Sequence, residues 1–133
     1  MASHRLNITL RHWTEKTLSK YSVGDVVELK LDPVQGQEKG KTRPCLVIFQ
    51  HPKLDLITVL PVTDASGKKG AAFVTVKNLA AAGLSKDSVI DTLQIRTLSS
   101  GRITKALGKV SKSELFLCRK SLALIFEIDE VHL

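Results

Sequence analysis

The stretch from Gly24 to Ile48 constrains this chain more than any other. Val26, Leu29 and Leu31 form one apolar run, and Leu46, Val47 and Ile48 form a second. Between them lie Asp32-Pro33, Gly36-Gln37-Glu38-Lys39-Gly40 and Lys41-Thr42-Arg43-Pro44. Two such runs joined by a polar, glycine-containing connection predict a β-hairpin with a long basic loop. Proline drives the residue before it out of the helical region into extended backbone. Arg43 is thus expected on a stiffened loop-to-strand junction, a position that suits presenting a guanidinium to a phosphate.

The pattern continues as short strands. The first two are predicted over Val26–Leu31 and Cys45–Phe49, and a third over Ile57–Val62, ending at Thr63. Asp64 to Gly70 reads as an exposed, turn-rich loop. A fourth strand is expected over Phe73–Val76, then a loop or short helical turn over Asn78–Leu84. Ser88–Ile95 reads as a fifth strand that Arg96–Ser99 extends, and a last one falls near Lys105–Val110. At Ser111 the period changes. Glu114 stands three residues on, the spacing of a capping box. Leu115, Cys118, Leu122 and Ile125 then recur at helical spacing, with Phe116 and Ala123 widening the apolar face. Glu127, Asp129 and Glu130 end the chain on an acidic note. Many short strands and one terminal helix imply a mostly antiparallel β-barrel or rolled sheet. Residues 1–22 read as an extension, in which Leu6, Ile8 and Leu10 alternate like a short strand, and 23–133 as one domain.

At 133 residues the chain can bury a core without metal or disulfide help. Twenty Lys and Arg against thirteen Asp and Glu give a net charge of +7, a field that favours polyanions. Cys45 and Cys118 have neither a CxxC partner nor a nearby ligand histidine. They read as small buried hydrophobes of a reduced cytoplasmic protein, with no metal site and no cofactor expected. No run approaches the length that crosses a bilayer. The N-terminus, broken by Asn7, Thr9, Arg11 and His12, lacks a signal-peptide core.

The hairpin residues carry a resemblance. Gly24-Asp25, Leu31-Asp32-Pro33, the Gly36-to-Gly40 segment and Thr42-Arg43-Pro44 resemble the opening of the MazF/PemK (Kid) toxin endoribonucleases. Leu60-Pro61-Val62-Thr63 resembles that family's second motif. Asp87-Ser88-Val89-Ile90 followed by Gln94-Ile95-Arg96-Thr97 resembles its third, so the likeness runs from Val23 to Glu127. The resemblance implies the SH3-like barrel of the MazF/CcdB class with a C-terminal α-helix, usually a homodimer. It implies metal-independent cleavage of single-stranded RNA, leaving a 2′,3′-cyclic phosphate and a 5′-hydroxyl. It also implies an antitoxin partner whose acidic tail covers the basic groove. Arg43 and Thr63 match the family's arginine and its serine or threonine.

RNA supplies its own nucleophile, the ribose 2′-OH, so such an enzyme must chiefly stabilise the phosphorane. An arginine fork suits that task, and a hydroxyl can bond the phosphate or relay a proton. Taken alone, Arg43 fits a surface salt bridge to Glu38 or Asp64, and Thr63 fits a turn cap. Lys39, Lys41, Lys68 and Lys69 lie in loops that can track an RNA backbone, or be merely solvated. Gln94 and Arg96 share a strand face by period two, toward substrate or toward sheet-surface bonds. The family's usual acid before the glutamine is Leu93 here, and its first-loop histidine is Gln37. Asp91, two residues before Leu93, is one candidate substitute. His51 is a candidate base by its titration range, or an exposed loop histidine. Leu93 also leaves open a noncatalytic nucleic-acid-binding domain on the same fold. A gyrase-directed poison ranks last, since CcdB relatives depend on a C-terminal tryptophan and the only one here is Trp13.

Overall fold

The computed structural model describes residues 21–129; the strand-like pattern at Leu6–Leu10 and the acidic Glu130 lie outside them. Among those residues the elements run β1 (Asp25–Lys30), β2 (Thr42–Gln50), β3 (Leu56–Asp64), β4 (Phe73–Thr75), α1 (Leu79–Ala82), β5 (Ser88–Asp91), β6 (Arg96–Ser99), β7 (Ile103–Lys109) and α2 (Lys112–Ile125). A 3₁₀ turn at Thr92–Gln94 separates β5 from β6, and another at Ser100–Arg102 separates β6 from β7.

The sheet order is β4-β5-β3-β2-β1-β7, with β6 also on β3, and among the described residues each neighbouring pair is antiparallel. β3 organises the topology. One edge pairs with β2; the other pairs with β6 through Leu56–Val59 and with β5 through Val62–Asp64. Because β6 leads into β7, and β7 pairs with β1, the chain closes the roll expected from the sequence.

Alternation splits the apolar residues between two interiors. Val27, Leu29, Leu31, Cys45, Val47, Ile57, Val59 and Leu98 fill the roll. Val26, Leu46, Leu60, Val62, Val74 and Ile90 face the other way and pack with Cys118, Leu115 and Leu122 of α2. This is why β3 reads as a nearly unbroken apolar run: both faces are covered. α2 starts as its sequence predicts. Ser111 Oγ accepts from Glu114 N, and the Glu114 carboxylate accepts from Ser111 N at 3.0 Å and from Lys77 N at 2.9 Å.

Two glycines let α1 lie directly on β7. A Cβ on Gly83 would meet Leu107 O at 2.1 Å, and one on Gly108 would meet Ala81 O at 2.2 Å. Gly83 also holds φ +74°, the left-handed cap that ends α1. This packing fixes the segment that leads from α1 into β5.

Two strand expectations change. β2 begins at Thr42, three residues before the expected start at Cys45, so Arg43 is its second residue, opposite Leu29 of β1 at the loop-to-strand junction. The fifth strand stops at Asp91 instead of running to Ile95. Thr92 turns away because its N–H and Oγ1 both donate to Ala72 O, while Oγ1 also meets Ser121 of α2. The break lets the chain leave the upper half of β3 and rejoin its lower half as β6.

Candidate active site

Arg43 and Thr63 meet where β2 begins and β3 ends. Arg43 Nη1 donates to Thr63 Oγ1 at 3.4 Å, and Nε donates to Gly40 O at 3.0 Å. The guanidinium is braced from the loop and from the sheet, with its remaining N–H groups free to point at a ligand. Among the described residues no carboxylate pairs with it, so the salt bridge to Glu38 or Asp64 is not formed. Thr63 is only 8% exposed and opposes Val89 of β5. Both residues line a cavity of about 370 Å³, together with Lys41, Pro44, Val62, Asp64, Leu84, Lys86 and Ser88.

The basic loop between β1 and β2 is held along its length. Gln94 Oε1 accepts from Lys39 N, and Gln94 Nε2 donates to Gln37 O, each at 3.1 Å. Arg96 Nη1 donates to Leu31 O at 3.0 Å. Asp32 Oδ1 accepts from Lys41 N at 2.8 Å, and Lys41 adopts φ 62°. Gln94 and Arg96 therefore act together, although the 3₁₀ turn separates them and no common strand face exists. Their bonds go to the loop backbone, which carries Lys39, Lys41 and the carbonyl that braces Arg43. Lys68 lies in the loop after β3, with Nζ donating to Ser66 O at 3.3 Å, and exposed Lys69 follows it.

Two sequence candidates fall away from the site. Asp91 is 4% exposed and opposes Phe73 of β4, whereas Leu93, in the 3₁₀ turn, is 59% exposed. The broken strand removes the shared face that made Asp91 a stand-in for an acid at Leu93. His51 follows the far end of β2, about 26 Å along the strand from Arg43 at ~3.3 Å per residue. Its Nδ1 accepts from Lys53 N at 3.0 Å and from Leu54 N at 2.8 Å, so it shapes the β2–β3 turn.

Sequence reasoning missed Lys86 and treated Asp64 only as a salt-bridge partner. The hydroxyl and N–H of Ser66 lower the Asp64 carboxyl from its ordinary value, and Lys68 and Lys86 add to the effect. Burial pushes the Cys45 thiol up to about 12, against the pull of Arg96 and Arg43. It also pushes Cys118 up to about 12, with Glu114 adding to the rise. Both thiols are free and buried, and neither is a nucleophile at neutral pH.

The chain matches, over residues 22–126, the family described as PemK-like, MazF-like toxin of type II toxin-antitoxin system. The chain belongs to this family. Among relatives, endoribonuclease MazF from Staphylococcus epidermidis is 34% identical over 95 residues, covering 69% of this chain and 79% of the relative. Endoribonuclease MazF9 from Mycobacterium tuberculosis (strain ATCC 25618 / H37Rv) is 27% identical over 113 residues, covering 79% and 95%. The crystal structure of MazF from Deinococcus radiodurans superposes with a TM-score of 0.69 at 24% identity, covering 81% of this chain and 97% of that one. That likeness shows the MazF fold, as the rolled sheet and terminal helix implied. Arg43 and Thr63, from Thr42-Arg43-Pro44 and Leu60-Pro61-Val62-Thr63, are brought into contact by the fold.

Proposed function

We propose that the protein is a MazF-type toxin that cuts single-stranded RNA, mRNA in the cell, without a metal ion. The observation that carries the reading is the Arg43–Thr63 contact in a cavity beside a basic loop, in a chain of this family. The 2′-OH attacks the adjacent phosphorus while the 5′ oxygen leaves, giving a 2′,3′-cyclic phosphate and a 5′-hydroxyl. Arg43 offers its free N–H groups to the non-bridging oxygens as charge builds on the phosphorane. Thr63 orients that fork and presents its hydroxyl to the same phosphate. Gln94 and Arg96 act as positioning residues through the loop. Lys39, Lys41, Lys68 and Lys69 supply the salt-dependent attraction to the RNA backbone.

The proposed partner is an antitoxin with an acidic segment, matching the +7 charge of this chain and the toxin-antitoxin description of its family. The proposed assembly is a homodimer. Short β4 and the outer side of β7 leave open sheet edges that pairing would cover. Among the described residues no helix is long and apolar enough to cross a membrane. The cytoplasm, where mRNA is found, is the proposed site of action.

The test is incubation of the purified protein with mixed-sequence RNA in excess EDTA. The expected fragments carry a cyclic phosphate at one end and a 5′-hydroxyl that a kinase labels directly. RNA that stays intact would refute the reading. Binding without cutting would favour a noncatalytic domain, for which exposed Leu93 in the acid's place is the supporting observation.

A further inference from the structure

The cavity that holds Arg43 and Thr63 does not end there. A second cavity of about 500 Å³ is lined by Asp64, Ala65, Ser66, Lys86 and Asp87. Asp64 and Lys86 line both, so the two adjoin at these residues. β3 lies between β2 and β5, which puts Arg43 on one side of Thr63 and the approach to β5 on the other. At ~4.8 Å per strand, β2 and β5 are about 10 Å apart. Two cations reaching inward across such a gap can hold neighbouring phosphates of one strand.

The Lys86 backbone is fixed. Ser88 Oγ donates to Lys86 O at 2.7 Å, and Ala65 N donates to Asp87 O at 3.0 Å. The preceding helix is locked on β7 by the Gly83 and Gly108 contacts. The ammonium, by contrast, forms no short contact and acts on Asp64 only through its field. Among the described residues it makes no hydrogen bond, and the two ion pairs belong to Lys105 with Glu28 and Lys109 with Asp25. Asp64 is engaged by Ser66 instead, its Oδ1 accepting from Ser66 N at 2.7 Å.

We infer that Lys86 is a second phosphate-binding cation of this site, holding the phosphate next to the one that Arg43 engages. The carboxylates decide which side the phosphate takes. Asp64 borders both cavities, but Asp87 lines only the 500 Å³ one while Arg43 and Lys41 line only the other, so the phosphate sits on the Arg43 side of Lys86. The second cavity suits the nucleoside, whose hydroxyl and amino donors those carboxylates can accept.

This inference rests on the RNA-cutting reading, and the two fail separately. The experiment measures binding of a mixed-sequence, fully 2′-O-methylated RNA, which keeps every phosphate but lacks the nucleophile. The parent, Lys86→Ala, Lys86→Arg and the surface control Lys112→Ala are compared over a salt series. One lost phosphate contact flattens the log–log salt slope by about 0.7 on a single strand. Lys86→Ala is expected to show that loss with weaker binding, Lys86→Arg to restore both, and Lys112→Ala to keep the parent slope. An unchanged slope in Lys86→Ala overturns the inference. So does an equal loss in Lys112→Ala, which would mean bulk charge alone, or a parent that does not bind the RNA. A parent that binds this RNA but leaves unmodified RNA intact overturns the nuclease reading, while the slope still decides Lys86.

Discussion

Gln94→Ala should loosen the catalytic loop without touching the core. The side chain makes two bonds across the sequence, to Lys39 N and to Gln37 O, both at 3.1 Å. Each neutral bond contributes about 0.5–1.5 kcal/mol net. One of them is largely exposed, so the lower part of that range applies, and the pair sums to about 1–2 kcal/mol of loop order. At 1.4 kcal/mol per factor of ten, the ordered loop becomes about five- to thirtyfold less favoured. Gly40 O braces Arg43 Nε, so slack in the loop reaches the guanidinium as well as the lysines. Single-turnover cleavage at sub-saturating RNA should therefore fall by about tenfold. Hydrogen exchange at the Lys39 amide should quicken by a similar factor, and the melting temperature should fall by about 3–10 °C. If Lys39 exchanges as slowly in Gln94→Ala as in the parent, the loop is held by something else and the reasoning fails.

Three further outcomes follow from the packing and the site. Gly108→Ala would place a Cβ 2.2 Å from Ala81 O and 2.6 Å from Ala82 C; it should destabilise by about 1–3 kcal/mol, read as a lower denaturant midpoint. For Glu114, burial is the largest single influence and raises its pKa, but bonds from Ser111 N, Lys77 N and the Ser111 hydroxyl together outweigh it and hold it low. Its contribution is therefore fully present above the unfolded value of about 4.3 and is lost as pH falls through the lower folded value. Denaturation of Glu114→Gln and the parent should show a stability gap at neutral pH that narrows in acid; a constant gap would contradict this. Leu93→Asp, at an exposed position beside Gln94, should raise single-turnover cleavage toward the ~10² contributed by a positioned base, and an unchanged rate would place proton transfer elsewhere.

Much of this was legible because it rests on local rules. The alternation in Val26–Leu31, the β-branched apolar run Ile57–Val62 and the Ser111–Glu114 box each name their own element. The motifs also named Arg43 and Thr63, which lie 20 residues apart and meet only because β2 and β3 pair. What stayed hidden depends on tertiary partners. Nothing near Thr92 announces that Ala72 and Ser121 will bend it out of the strand. That bend took Leu93 off the strand face of Asp91 and sent Gln94 to the loop. Lys86 sits in a plain Ser-Lys-Asp-Ser run, and only the β3–β5 register brings it to the cavity. His51 was a candidate by residue type alone, and only the length of β2 shows that it lies at the end of the strand away from Arg43.

The most direct test of the account is the cleavage rate of Arg43→Ala. The side chain is half-buried at the cavity and sits outside both apolar clusters, so circular dichroism and melting should match the parent. In single-turnover cleavage of mixed-sequence RNA in EDTA, loss of a preorganised charged donor should slow the reaction by about 10²–10³. Arg43→Lys should recover little, because an ammonium cannot reproduce the fork. A folded Arg43→Ala that cuts as fast as the parent would contradict the assignment of this cavity as the place where RNA is cut.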